Sequence, residues 1–310
     1  MAPLEIMTLA DNRRNRGSIA RRELAGLLYL IPWAIGFLVF QLYPLVSSMA
    51  YSFTNFSVSG RPSFLGLENY GRIFSSDADF WISLRVTFLY VIISVPLKLA
   101  FALFVAMLLN MEVKGIGAFR TIYYLPSILG GSVAVSILWR FLFSVDGAIN
   151  KALGLLSIPP VSWLGSPRYA LFTISLLSVW QFGSSMIVFL AGLKQVPNEL
   201  YEAASIDGSS SAGRFFKITL PMITPMLFFN LVMQTINAFQ EFTAAFVITN
   251  GGPMKSTYLY GLKLYQEGFQ FFKMGYASAL SWILFAILIA LTALTFKSSS
   301  YWTFYEDGGR

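Results

Sequence analysis

Long apolar stretches separated by short polar segments dominate the chain, and six of these stretches are long enough to cross a lipid bilayer. A transmembrane helix needs about 20 largely apolar residues. None of the six alternates apolar and polar residues with the period of two that a membrane β-strand shows. We therefore predict an all-α integral membrane protein with six transmembrane helices, at Ala25–Phe53, Leu84–Leu109, Tyr123–Phe143, Tyr169–Leu193, Pro221–Phe246 and Tyr276–Phe296.

The number and the placement of charged residues support a membrane protein. Only 12% of the 310 residues are charged and 56% are hydrophobic, whereas a soluble domain usually carries about 25% charged residues. The charged residues that fall within the six stretches are Arg85, Lys98, Arg140 and Glu241. Such segregation is expected because the hydrocarbon core disfavours unpaired charges.

Arginines that precede the first stretch predict its orientation. They lie in a basic arm, residues 1–24, and the positive-inside rule assigns that arm to the cytoplasm. Six crossings cover 25–297 and return the tail, 298–310, to the same side. The net charge of +7 agrees with this topology and with lipid contact, so we predict no nucleic-acid partner. The outer loops mix aromatic residues with Gly and Pro, which predicts short helices and turns at 54–83, 144–168 and 247–275.

Cysteine and histidine are both absent from the chain, and their absence excludes several kinds of chemistry. No disulfide, thiolate or imidazole metal site, thiol nucleophile or Ser-His-Asp triad can form. The phosphate-binding loop G-x-x-x-x-G-K-[ST] is also missing, so this chain is not an ATPase. We expect no enzyme activity and no cofactor in this chain, and active transport would need energy from another subunit.

The segment between the fourth and fifth stretches, 194–220, predicts a short helix–turn–helix on the side of the N-terminus. Asn198 is a plausible N-cap, and Gly208 can adopt the left-handed conformation that ends the first helix. One of the serines at 209–211 can cap a second helix over Ala212–Thr219, before the chain re-enters the bilayer. The residues alone are compatible with an amphipathic connector or with a docking site for another protein.

The order of residues in this segment resembles the EAA loop of ABC-importer permeases. The matching positions are Glu202, Ala203, Ala204, Gly208 and Ile218-Thr219-Leu220-Pro221. Other segments resemble carbohydrate-uptake permeases of the maltose type, namely Phe64–Tyr70, Leu125-Pro126, Trp139–Phe143, Asp146–Asn150 and Thr249–Pro253. The resemblance covers roughly residues 30–296.

This resemblance implies a type I ABC importer permease fold in the bacterial inner membrane, with both termini cytoplasmic. It also implies a second similar permease subunit, two ATP-binding subunits that use ATP and Mg²⁺, and an external substrate-binding protein. The substrate would be a sugar or an oligosaccharide. The residues expected to couple to the ATPase are Glu202, Ala203, Ala204, Asp207 and Gly208, and the outer-loop motif is Asn250, Gly251, Gly252 and Pro253. A secondary transporter or a channel is the alternative.

Polar residues in the fifth stretch are candidates for the transport pathway. Asn230, Gln234, Asn237 and Glu241 follow each other at helical spacing, and Gln240 lies beside them. Such a stripe can line a pore and offer hydrogen bonds to sugar hydroxyls, or it can join helices to each other. Both interpretations remain open at this stage.

Lys98, near the middle of the second stretch, also has two interpretations. It can bind an acidic ligand in the pathway, or it can have a structural role, either in an internal salt bridge, for example with Glu241, or as a long side chain that reaches a water-filled cavity. Gln181 and Trp180 in the fourth stretch are further candidates for a cavity.

Overall fold

The computed structural model describes residues 29–58, 60–111 and 115–304, so the predicted basic arm lies outside the described residues. Within these ranges the chain is helical and contains no β-strand beyond one isolated bridge between Thr54 and Phe64. The α-helices are α1 (Tyr29–Ser52), α2 (Glu68–Ser75), α3 (Ala78–Leu109), α4 (Ile116–Leu129), α5 (Val133–Leu142), α6 (Ala148–Leu155), α7 (Pro167–Trp180), α8 (Gly183–Leu193), α9 (Asn198–Ile206), α10 (Ser211–Met222), α11 (Thr224–Phe239), α12 (Tyr260–Tyr265) and α13 (Met274–Trp302). Short π-helical segments follow α11 and α12, at Ala245–Thr249 and Gln266–Gln270.

Six candidate membrane spans are present, which confirms the predicted number. Three of them are single helices, namely α1, α3 and α13. The other three are pairs of helices that meet at sharp bends, of 102° between α4 and α5, 49° between α7 and α8, and 66° between α10 and α11. Each of these three predicted spans is therefore a bent pair of helices rather than one straight helix.

Local sequence explains part of this bending. Gly131, between α4 and α5, has a φ of +75°, a left-handed conformation that costs glycine little. Pro225, in the first turn of α11, has no backbone N–H, so it cannot donate a helical hydrogen bond to the carbonyl oxygen of Pro221, four residues earlier. In a continuous helix its ring would also clash with that carbonyl group. The chain therefore bends at Ile223, between α10 and α11.

Helix α3 forms the centre of the bundle, where it packs against α7, α8 and α11. Its buried face includes Val95, Leu99 and Ala102, and these pack with buried residues of α8 such as Met186 and Phe189. The second half of α1 packs against α13, but no residue of Tyr29–Leu42 is buried. The apolar side chains of the first half of α1 are therefore not covered by the described part of the chain.

The three outer loops contain the short helices that the sequence predicts. Helix α2 lies in the first loop, α6 in the second and α12 in the third. Asn69 of α2 donates to the carbonyl oxygens of Ser52 and Thr54, both at 2.9 Å, so this loop is fastened to the end of α1. At the other end of the chain, α13 continues to Trp302, into the segment predicted as a tail.

Candidate functional site

A polar cavity of about 390 Å³ lies among α3, α4, α7, α8 and α11. Its lining combines a lysine, a carboxylate, three side-chain amides and several hydroxyl groups, in a bundle that is otherwise apolar. The residues that line it are Tyr90, Val95, Lys98, Ser127, Gly130, Gly131, Ser178, Gln181, Ser184, Gln234, Asn237, Ala238 and Glu241. Such a set of donors and acceptors can bind a hydroxyl-rich ligand.

The bends in the spans bring several of these residues to the cavity. Ser127 of α4 donates to the carbonyl oxygen of Gln181 at 3.0 Å and accepts from the backbone N–H of Ser184 at 3.0 Å. One hydroxyl thus satisfies a donor and an acceptor that the bend between α7 and α8 leaves unpaired. Gly183 permits this approach, because a Cβ there would lie 2.8 Å from the carbonyl oxygen of Tyr123.

The predicted polar stripe of the fifth span is only partly present. Gln234 and Asn237 lie on α11 and both line the cavity. Asn230 is 2% exposed and donates to the backbone carbonyl of Ser185 at 3.4 Å, so it joins α11 to α8. Glu241 lines the cavity as well, but α11 ends at Phe239, so helical spacing was the wrong reason for this position.

The two neighbours Gln240 and Glu241 lie in different environments. Glu241 accepts from the backbone N–H of Ala244 at 2.9 Å, at the start of the next helical turn. Gln240 is exposed and lines an apolar groove of about 280 Å³ between α1 and α13, together with Leu45 and Trp282. The structure therefore does not bring Gln240 together with the other candidates for the pathway.

Lys98 lies in the wall of the same cavity and is only 8% exposed. No carboxylate of the described residues lies within 4.0 Å of its Nζ atom, so the direct salt bridge with Glu241 is not formed. Gln181 also lines the cavity, whereas Trp180 does not. Three serines also line the cavity without having been predicted, because a serine within an apolar helix gives no distinguishing signal; they are Ser127, Ser178 and Ser184.

The loop between α8 and α10 has the predicted helix–turn–helix form. Gly208 ends the first helix with a φ of +72°, and Ser210 caps α10 by accepting from the backbone N–H of Gly213 at 3.1 Å. Asn198 is the first residue of α9 rather than its N-cap, which is Pro197. The second helix continues to Met222, beyond its predicted end, and is extended through a π-helical turn.

Side-chain hydrogen bonds hold the two arms of this loop together. The Tyr201 and Thr219 hydroxyls lie 2.9 Å apart, and Arg214 donates to the Ser205 hydroxyl at 2.7 Å. Ile206, near the end of α9, is 88% exposed and contributes to neither of these hydrogen bonds. Of the five predicted coupling residues, Ala204 is half-buried, and the exposed ones are Glu202, Ala203, Asp207 and Gly208.

The predicted outer-loop motif forms a tight turn after the fifth span. Asn250 and Gly251 both have left-handed backbones, with φ of +47° and +83°. Thr257 donates to the carbonyl oxygen of Gly252 at 2.7 Å, which closes the turn. A Cβ at Gly251 would lie 2.9 Å from the Tyr258 ring, so a side chain at this position would be strained and crowded.

A group of charged residues fastens this outer region to the bundle. Lys263 is 2% exposed, and its Nζ lies 2.7 Å from Asp77 and 3.5 Å from Glu267. Burial raises the pKa of Asp77, but hydrogen bonds from Lys263 and Tyr276, the Lys263 charge and the Phe80 N–H together lower it below its ordinary value. Asp77 is therefore ionised at neutral pH.

Comparison with known proteins agrees with these features. Residues 86–301 match the family described as the binding-protein-dependent transport system inner membrane component. The chain is 50% identical over 301 residues to the probable ABC transporter permease protein YesP of Bacillus subtilis (strain 168), which covers 96% of this chain and 97% of that protein. It is 35% identical to the sulfoquinovosyl glycerol transport system permease protein SmoG of Agrobacterium fabrum (strain C58 / ATCC 33970), over 88% of this chain and 89% of that one.

A further relative and a solved structure extend the comparison. The lactose transport system permease protein LacF of Rhizobium radiobacter is 33% identical, over 92% of this chain and 97% of that protein. A crystal structure of a bacterial alginate ABC transporter, in complex with a periplasmic protein bound to an alginate pentasaccharide, contains a similar chain. It aligns with a TM-score of 0.78 at 21% identity, over 91% of this chain and 96% of that chain, so the fold is shared.

Proposed function

This chain belongs to the family of binding-protein-dependent transport system inner membrane components and has the type I ABC importer permease fold, and we propose on that premise that it forms half of a sugar-importing translocation pathway. A second, similar permease would form the other half. The exposed apolar surface of Tyr29–Leu42 in α1 is available for such a neighbour. Residues 25–297 would form the transmembrane domain.

The polar cavity is the single observation that carries the proposal. Its amides, hydroxyls and carboxylate come from several helices and face one space of about 390 Å³, which suits a ligand covered with hydroxyl groups. Two of the relatives are named for lactose and for sulfoquinovosyl glycerol transport, and both of these compounds are saccharides. We propose that Gln234, Asn237 and Glu241 contact the passing sugar.

The loop at 194–220 would couple conformational changes of an ATP-binding subunit to the cavity. We propose that Glu202, Ala203, Ala204, Asp207 and Gly208 contact an ATP-binding subunit. Two such subunits would use ATP and Mg²⁺, while this chain would hold neither. Because the bend at Ile223 joins α10 directly to α11, movement of the loop would be passed to the helix that carries Gln234 and Asn237. Alternating access to the cavity follows from that connection.

The orientation in the membrane completes the proposal. We propose the bacterial cytoplasmic membrane, with both termini and the loop at 194–220 in the cytoplasm, and the basic arm supplies the charge bias that favours this orientation. The turn at Asn250–Pro253 would then face outwards. This outer face, with α2, α6 and α12, would receive the substrate-binding protein.

Reconstitution tests this function. The chain is purified with its second permease, its ATPase and its binding protein, and uptake of labelled oligosaccharides into proteoliposomes is measured. We expect uptake to require both ATP and the binding protein. The chain alone, in matched liposomes, should accumulate no sugar; if it did so with an ion gradient as the driving force, the secondary-transporter alternative would replace this proposal.

A further inference from the structure

The side chain of Lys98 is the most unusual group in the cavity. It is 8% exposed, and no described residue accepts a hydrogen bond from its Nζ atom or places a carboxylate within 4.0 Å of it. A lysine so deep in a membrane protein is costly unless its charge is compensated. Because Lys98 lines the cavity, its three N–H donors are available to whatever enters that space.

Glu241 does not provide this compensation by direct contact. Its carboxylate lines the cavity, but it lies beyond ion-pair distance from Lys98, and one of its oxygens accepts from the backbone N–H of Ala244. The second carboxylate oxygen can accept from a ligand hydroxyl. The cavity therefore offers a cation at one position and acceptors for hydroxyl groups at another.

We propose that the cavity binds a saccharide that carries an anionic substituent, with the anion at Lys98 and the hydroxyl groups at Gln234, Asn237 and Glu241. This inference rests on the proposed function, because it concerns the substrate of the same pathway. A lysine acts as a point charge and accepts any oxyanion, so carboxylated and sulfonated sugars share the required chemistry. Glu241 rejects a second anionic group near it, which limits where the charge can lie on the ligand.

Matched pairs of saccharides test the proposal in the complete reconstituted importer. One pair is galacturonate and its methyl ester, and the other is sulfoquinovosyl glycerol and glucosyl glycerol. In each pair the neutral compound lacks the negative charge. We expect the wild-type complex to import the anionic member of at least one pair faster, and the pair that responds identifies the anion.

Lys98→Gln isolates the contribution of the cavity, because the binding protein stays unchanged. We expect it to lower uptake of the anionic compound about ten times more than uptake of the neutral partner. Lys98→Arg should retain the preference for the anion. Equal losses for both members of a pair, or an arginine variant that behaves like the glutamine variant, would mean that Lys98 has a structural role.

The outcomes also separate this inference from the proposed function. An importer that moves neutral saccharides only would overturn the assignment of an anionic substrate and leave the sugar-importer proposal intact. An assembled complex that imports no saccharide of the panel, with maltotriose included, would defeat both. Recovery of each variant in the assembled complex, followed by gel filtration, confirms that it folds.

Discussion

Lys263 Nζ lies 2.7 Å from Asp77 Oδ2, and this ion pair fastens the outer helix α12 to the beginning of α3. Asp77 also accepts from the backbone N–H of Phe80 at 3.0 Å, as the N-cap of α3, and from the hydroxyl of Tyr276 at the start of α13. The Thr87 hydroxyl accepts from the N–H of Tyr260 at 2.8 Å in the same region. One carboxylate thus links α12 and α13 to α3, which is distant from both of them in sequence.

Removal of Lys263 should be strongly destabilising. Lys263→Met leaves the half-buried carboxylate of Asp77 without its cation. Loss of one partner of a fully buried pair typically costs about 3–5 kcal/mol, and the partial exposure of Asp77 should keep the cost near the lower end of that range. The control is Lys255→Met, because Lys255 pairs with Asp79 on the same outer face but both side chains are well exposed. Loss of an exposed pair should cost at most about 1 kcal/mol. Thermal unfolding of the two variants in detergent compares them, and equal midpoints would refute the structural role of Lys263.

The Asp77 interactions also predict how stability depends on pH. The pKa of Asp77 in the folded protein is lower than its ordinary value of about 3.9, so the group stabilises the fold when it is ionised. This contribution is complete above about pH 5 and disappears as the pH falls through the lowered pKa. Unfolding midpoints measured from pH 7 to pH 3 should therefore fall more steeply below pH 4 for the wild type than for Asp77→Asn.

Gly208 should tolerate only residues that accept a left-handed backbone. Its φ of +72° cannot be adopted by proline, and Gly208→Pro also removes the N–H that donates to Ser205 at 3.1 Å. We expect Gly208→Pro to lower sugar uptake per ATP hydrolysed at least fivefold while the complex still reaches the membrane. Gly208→Asn is the matched control and should retain more than half of the coupling. Normal coupling in the proline variant would remove this turn from the proposed mechanism.

The neighbouring residues Glu241 and Gln240 provide an internal control for the pathway. Glu241→Gln removes the charge from the cavity but keeps an oxygen for the N–H of Ala244, so the local fold should persist. We expect kcat/KM for uptake to change about tenfold. Gln240 lies outside the cavity, so Gln240→Ala should change kcat/KM for uptake by less than twofold. If the alanine variant had the larger effect, the cavity would not be the pathway.

Close packing at the bend between α7 and α8 can be tested with glycine substitutions. In Gly183→Ala, the new methyl group would meet the backbone of Tyr123 and Tyr124, which cannot move aside as a flexible side chain can. Such overpacking typically costs about 1–3 kcal/mol. Gly117→Ala in α4 is the control, because no atom lies within 4 Å of its Cβ position. Thermal unfolding in detergent should separate the two, and similar midpoints would argue against a tight contact.

The candidate site was predictable only where a residue differs clearly from its apolar surroundings. Gln234 and Asn237 stand out in the fifth stretch, and both line the cavity. Gln240 stands out equally, yet it faces another groove, because α11 ends before it and helical spacing no longer applies. Ser127 gives no signal in the sequence, although its hydroxyl holds the bend beside Gln181. A contact between distant segments has no local pattern that could reveal it.

The sequence by itself determined the six membrane crossings, the presence of short helices in the outer loops and the turn at Gly208. The physical reason is that lipid and backbone geometry act on local composition: a span needs only enough consecutive apolar residues, and a left-handed turn needs only a glycine. Only the tertiary structure decided where three spans bend, which polar groups share a cavity and where Lys98 lies relative to Glu241. Those features depend on which neighbouring helix satisfies each exposed backbone group and each charge, and such neighbours are distant in sequence.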